Sequence, residues 1–275
     1  MRIASLYYGL KCRTLEHYIK FINKTNTAKL LCEEPTCANE KAYGNKELRK
    51  TDLNAITSRN PMHDELEKKY NLSQIASGAS DFERTVNILK WLTDNTCYCG
   101  MQHRLVTDNS LDILDFSFGK PFKHAINCRA KAIVFADCLV AVGIKAYPLS
   151  LLSLKFRNSH LICHVYLKEI DKWCAFDPSF GCYFTDENGS LLDVFEIRDM
   201  FIRGKEPTVC GYNFNGTTEC FDVYMSGFLR LCISNISTWD DNSLNRRDKI
   251  KMSDKKIFNS KVPDVNSQSK VSTNG

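Results

Sequence analysis

The chain has 275 residues, 43% of them hydrophobic, with a net charge of +5. That is enough apolar material for one large domain or two small ones, and the modest charge, with no basic run interleaved with aromatics, excludes a nucleic-acid binder. The cysteines number thirteen, and "MRIASLYYGLKCRTLEHYIK" lacks the basic, apolar and cleavage-site succession of a signal peptide, so reduced thiols in a cytoplasmic protein are expected rather than a disulfide framework.

Residues 1–79 read as a mixed, helical N-terminal region, with Leu15, Tyr18, Ile19 and Ile22 at helical spacing. Cys32 and Cys37 stand as Cys-x4-Cys, but a structural zinc site needs a second pair and none is near, so free thiols are expected, with no metal and no cofactor. No apolar stretch approaches the roughly 18 residues of a membrane span, and no membrane association is expected. Ser80-x-x-Glu83 reads as a capping box opening an amphipathic helix with Phe82, Val86, Leu89 and Leu92 on one face. Thr93 to Lys123 reads as irregular, and Cys97 and Cys99 within it again lack partners at metal spacing.

The stretch "NCRAKAIVFADCLVAVG" then predicts a helix. Asn127 is a good cap, Ala132, Ile133, Ala136, Leu139 and Val140 recur at helical spacing, and Gly143 suits a left-handed stop. Cys128 falls in the first turn, where the positive end of the helix dipole favours thiolate over thiol. Cys138, on the same helix, reads as core.

Two strands follow, "IKAYPLSLLSL" and "HLICHVYL", and then "WCAFDPSFG" returns as a third that Pro178 ends. On the second strand His160, Ile162, His164 and Tyr166 share one face. The hairpin brings Asp177 back beside a histidine. A tight turn at Lys168-Glu169 sets His160 opposite Asp177, a turn at Ile170-Asp171 sets His164 there, and hairpin rules allow both. Zinc binding by the two histidines is excluded, because four residues along a strand separate their backbones by about 13 Å.

A cysteine opening a helix that ends in Gly-Ile, then His-x4-Val-Tyr-Leu, then Trp-x3-Asp-Pro, resembles the core of the transglutaminase-like superfamily, and "LDILDFSFGK" is similar to the lead-in of bacterial members. The resemblance covers Asn127 to Phe180. It implies an α+β, papain-like fold, in which a nucleophile-bearing helix packs on an antiparallel sheet, with residues 80–238 as the catalytic core. It also implies a triad of Cys128, His160 and Asp177, with His164 where the family often has glutamate. Ile162 replaces the family's usual aromatic and Asn127 its usual glycine. The register expected on this basis pairs His160, not His164, with Asp177.

Such a triad implies an attack by Cys128 on amide or peptide carbonyls through an acyl-thioester, with hydrolysis, deamidation and transamidation all open and a protein or peptide as substrate. The competing class is a non-enzymatic scaffold that keeps the fold and binds peptides or partner proteins in its cleft. A zinc or redox protein built on the many cysteines is a third. Further on, Asn188-Gly189 reads as a turn, Ser190 to Arg203 as a helix stopped by Gly204, residues 207–238 as two or three strands extending the sheet, and 239–275 as a polar, solvated tail.

Overall fold

The computed structural model describes residues 57–99, 107–119, 124–152, 159–203, 205–211 and 235–237. The helical pattern at Leu15 to Ile22, the pair Cys32 and Cys37, Gly204 and the tail from 239 lie outside the described residues.

Helix α1 (Pro61–Tyr70) is not anticipated above, although its signals are in the sequence. Pro61 takes the first helical position, where no N–H is needed. The Asn60 side chain accepts from the Met62 N–H at 3.0 Å and the His63 N–H at 3.4 Å, while His63 Nδ1 accepts the Asn60 N–H at 2.9 Å. The helix stops at Asn71, left-handed at φ 53°, and the single turn α2 (Leu72–Ile75) follows.

Helix α3 (Asp81–Asn95) is capped as expected by Ser80, which accepts the Glu83 N–H at 3.1 Å. The box does not close on itself: the Glu83 carboxylate takes the N–H of Ala79 instead, at 2.7 Å. Thr85, Ile88, Leu89 and Leu92 form the buried face, with Phe82 and Val86 at its border. The stretch expected to be irregular is partly helical: α3 continues to Asn95, and Asn109 caps helix α4 (Ser110–Ser117) through the N–H groups of Leu111 and Asp112. Two turns carry too few repeats for periodicity to reveal them.

Helix α5 (Cys128–Ala141) is central. Asn127 caps it by accepting the Ala130 N–H at 3.0 Å. At its far end Gly143 (φ 82°) donates to Val140 O and Ile144 donates to Leu139 O, a pairing that needs the left-handed residue. Every residue from Ala130 to Ala141 is buried, because the helix packs on the sheet along one side and on α1, α3 and α4 along the other.

Among the described residues the sheet has six antiparallel strands in the order β5-β4-β3-β2-β1-β6: β1 (Ala146–Leu152), β2 (Ser159–Leu167), β3 (Lys172–Asp177), β4 (Cys182–Thr185), β5 (Thr208–Gly211) and β6 (Asn235–Ser237). The architecture is thus mixed helix and antiparallel sheet, α+β. Strands from the 207–238 region do extend the sheet, one at each edge. Helix α6 (Val194–Ile202) begins four residues later than Ser190, because Asp193 is the better cap. Its carboxylate accepts the Phe195 and Glu196 N–H groups at 2.7 Å, and Glu196 accepts the Asp193 N–H at 2.8 Å.

One apolar core joins Leu66, Leu72 and Ala76 to α3, α4, α5 and to Leu161, Cys163, Val165 and Phe176 of the sheet. Within it, Asp137 of α5 accepts from Ser110 Oγ at 2.5 Å and from His63 Nε2 at 3.3 Å, which ties α4 and α1 to the central helix. His63 Nδ1 already accepts from Asn60, so Nε2 carries the proton. Among the described residues no helix is long and apolar enough to cross a membrane.

Candidate functional site

The β2–β3 hairpin sets the site. Its loop is neither of the two-residue turns considered above. Lys168–Ile170 form one 3-10 turn and Asp171 is left-handed at φ 49°, so that Leu167 pairs with Lys172 across a four-residue connection. Cys163 then faces Phe176 and His164 faces Ala175. The register falls midway between the two expected ones. Carried one step further by strand alternation, it sets Asp177 across from Ile162, diagonal to both His160 and His164 on the same face.

Side-chain bonding decides between them. His160 Nε2 and Asp177 Oδ2 are 2.6 Å apart, and Asp177 Oδ1 accepts the Ser179 N–H at 2.8 Å, so both carboxylate oxygens are held. Both side chains are fully buried. His164 is engaged elsewhere: its Nε2 accepts the N–H of Val194, the first residue of α6, at 3.0 Å, which leaves Nδ1 to donate to the Tyr147 hydroxyl at 3.2 Å.

The third expected residue comes from α5. Cys163 Sγ donates to Ala132 O at 3.1 Å and so fixes where β2 lies on the helix. Three residues back along the strand, about 10 Å, lies His160; four residues back along the helix, about 6 Å, lies Cys128. The two approach one another: Cys128 lies near enough to the His160 ring to help raise its pKa. With Nε2 held by Asp177, Nδ1 is the ring nitrogen that the carboxylate does not take. Cys128 is partly exposed, whereas the histidine and aspartate behind it are buried.

Electrostatics separates the two strand histidines sharply. Burial opposes a charge on His160, but the Asp177 charge and hydrogen bond, with a smaller contribution from nearby Cys128, outweigh it and raise the imidazole to about 10. His164 has burial and no compensating charge, and its pKa falls to about 3.

Around this centre lie groups that the sequence does not announce. Ile126 donates to Cys97 O at 2.8 Å and Cys99 donates to Ile126 O at 2.9 Å, so the segment after α3 runs beside the residue two before Cys128. Tyr98 packs on Phe180, and Phe180 on the His160 ring, at centroid distances of 5.5 and 5.8 Å. Arg129, next to Cys128, pairs with Asp108. Lys131, one turn into α5, is buried with its Nζ 3.4 Å from Thr96 O. Its spacing of three from Cys128 places both on one side of the helix, a signal present in the sequence.

Among the described residues no group of three or more His, Cys, Asp or Glu side chains is disposed to hold a metal, and the cysteines described are all free thiols. No protein-family model matches the chain, and no curated protein matches it. Among solved structures, the chain is similar to the crystal structure of a candidate cysteine protease from Cytophaga hutchinsonii, at 16% identity and a TM-score of 0.38. The similarity covers 52% of this chain and 46% of that one, so this chain spans less than half of that protein's length.

Proposed function

We propose that the chain is a cysteine-dependent acyl-transfer enzyme, a member of the transglutaminase-like superfamily with a papain-like core over residues 80–238. It acts on amide or peptide carbonyls through Cys128, His160 and Asp177. The observation that carries this reading is the buried His160–Asp177 pair at 2.6 Å, near a partly exposed thiol at a helix start. An imidazole shared between a carboxylate and a cysteine is the arrangement that nucleophilic acyl transfer requires.

The Cys128 sulfur, as thiolate, adds to the carbonyl carbon, and the oxygen takes the negative charge. In the first turn of a helix the N–H of Cys128 has no acceptor within the helix and is free to bond that oxygen. His160 passes its Nδ1 proton to the leaving amine as the C–N bond breaks, which leaves a thioester on Cys128. The neutral imidazole then takes a proton from the incoming water or amine, the C–S bond breaks, and the thiolate and imidazolium return. Asp177 orients the ring and stabilises its cationic form throughout. Water as acceptor gives hydrolysis or deamidation, and an amine gives transamidation. A protein or peptide carrying glutamine or a labile peptide bond is the substrate class. The free thiols suit a reducing compartment such as the cytoplasm.

The test is release of ammonia or amine from glutamine-containing proteins and peptides, with mass detection of an acyl group on Cys128. Wild type is expected to release product and Cys128→Ala to release none while melting at an unchanged temperature. Full activity in folded Cys128→Ala would make the peptide-binding scaffold the better account.

A further inference from the structure

Helix α5 is apolar along its buried length except at Lys131 and Asp137. Asp137 is accounted for by Ser110 and His63. Lys131 is not accounted for in that way. It is 1% exposed, and among the described residues its three donors have one hydrogen bond, to Thr96 O at 3.4 Å. A lysine at such a depth costs stability unless nearby charge compensates it, and an apolar residue of the same volume would serve packing better. Lys131 stands one turn after Cys128 on the same side of α5, against the segment that carries Thr96, and the charge that favours its cationic form is that of Asp177 in the candidate site. Burial lowers its pKa to about 8 against that charge, so at neutral pH most molecules carry the ammonium.

The ready form of the triad holds a thiolate, an imidazolium and a carboxylate. Their sum is one negative charge, in a place where the histidine and aspartate see no solvent. A buried excess charge is relieved by taking up a proton, and the thiolate is the group able to take it. One fixed positive charge nearby removes that drive.

Resting on the triad reading, we propose that Lys131 is a positioning residue of the same site, the fixed cation that balances Asp177 and thereby keeps Cys128 in its nucleophilic form beside charged His160. It acts through Asp177, and its bond to Thr96 aims the ammonium. Substrate is not required for this effect, so it is measurable in the free protein.

The experiment is mass-resolved alkylation of Cys128 by iodoacetamide in the full chain, from about pH 5 to 9, with Cys99 as the internal reference. Lys131→Met removes both charge and donor; Lys131→Gln removes the charge and keeps a donor for Thr96 O. Both are expected to slow Cys128 alkylation about tenfold near neutral pH and to move its rise with pH upward by about one unit. Both are expected to melt below the wild-type temperature, since buried Asp177 then lacks its counter-charge, and alkylation is read well below each melt. A wild-type rate in Lys131→Met would overturn the proposal. So would recovery in Lys131→Gln, which would reduce the lysine to a strut on Thr96. Failure of the triad reading looks different: Cys128 of the wild type would then alkylate no faster than Cys99, which is likewise partly exposed, before any lysine variant is made.

Discussion

His160 and His164 stand four residues apart on one strand, face the same way and are both buried, yet one is held charged and the other neutral. What differs is the partner. His160 meets a carboxylate and a thiol, while His164 meets a hydroxyl and a backbone N–H that needs a lone pair. Equal desolvation therefore yields one residue suited to move protons and one suited to hold α6 in place. Burial alone says nothing about which histidine does chemistry.

The sharpest break of this contrast is to remove the reactive side. Cys128→Ala and His160→Ala are each expected to lower acyl transfer by at least about a thousandfold, and the double variant by little more, because members of one unit are not additive. Steady-state rates beside thermal melts decide it; additive losses would mean that the two residues act separately. Asp177→Asn is expected to be about a hundredfold milder than either, since the ring is still oriented while the charge that stabilises imidazolium is lost.

On the other side, His164→Ala is expected to cost about 2–4 kcal/mol of stability through a cavity and the lost bond to Val194. The remaining folded molecules should keep activity within about threefold. A dead but normally stable His164→Ala would exchange the roles of the two histidines.

The smallest effects are in pH dependence, and their signs oppose. His164 stays neutral in the fold down to about 3 but protonates in the unfolded chain near 6.5, so its contribution, complete above 6.5, is lost as pH falls toward 3. His160 keeps its proton in the fold up to about 10, so its contribution, complete below 6.5, is lost as pH rises toward 10. Each slope is at most about 1.4 kcal/mol per pH unit. Denaturant titrations of wild type, His160→Ala and His164→Ala should show the alkaline slope reduced in the first variant and the acid slope in the second. An unchanged alkaline slope in His160→Ala would mean that its ring is not held charged.

Cys128, its helix and the β2–β3 pairing are legible in sequence because their signals are local: Asn127 and Gly143 bound the helix, and alternation marks the strands. The register is not legible, because a left-handed Asp171 closing a 3-10 turn is one of several loops that the same residues allow. Helix α1 goes unread although Asn60, Pro61 and Asn71 punctuate it, since its apolar face is little more than Leu66 and part of Met62 and Tyr70. Lys131 is hidden for a different reason. A lysine on a helix is by default assigned to a solvent face, and α5 has none.

The four-residue connection between β2 and β3 carries a consequence for how this chain can vary. Strand side chains repeat every two residues, so adding or removing a single loop residue, if the strand slips to absorb it, turns Asp177 to the opposite face and parts it from His160. Adding or removing two preserves the face and only slides the partner along the strand. Length in this exposed turn therefore obeys a parity rule: even changes stay compatible with a His160–Asp177 bond, and odd ones require a compensating bulge elsewhere in the hairpin.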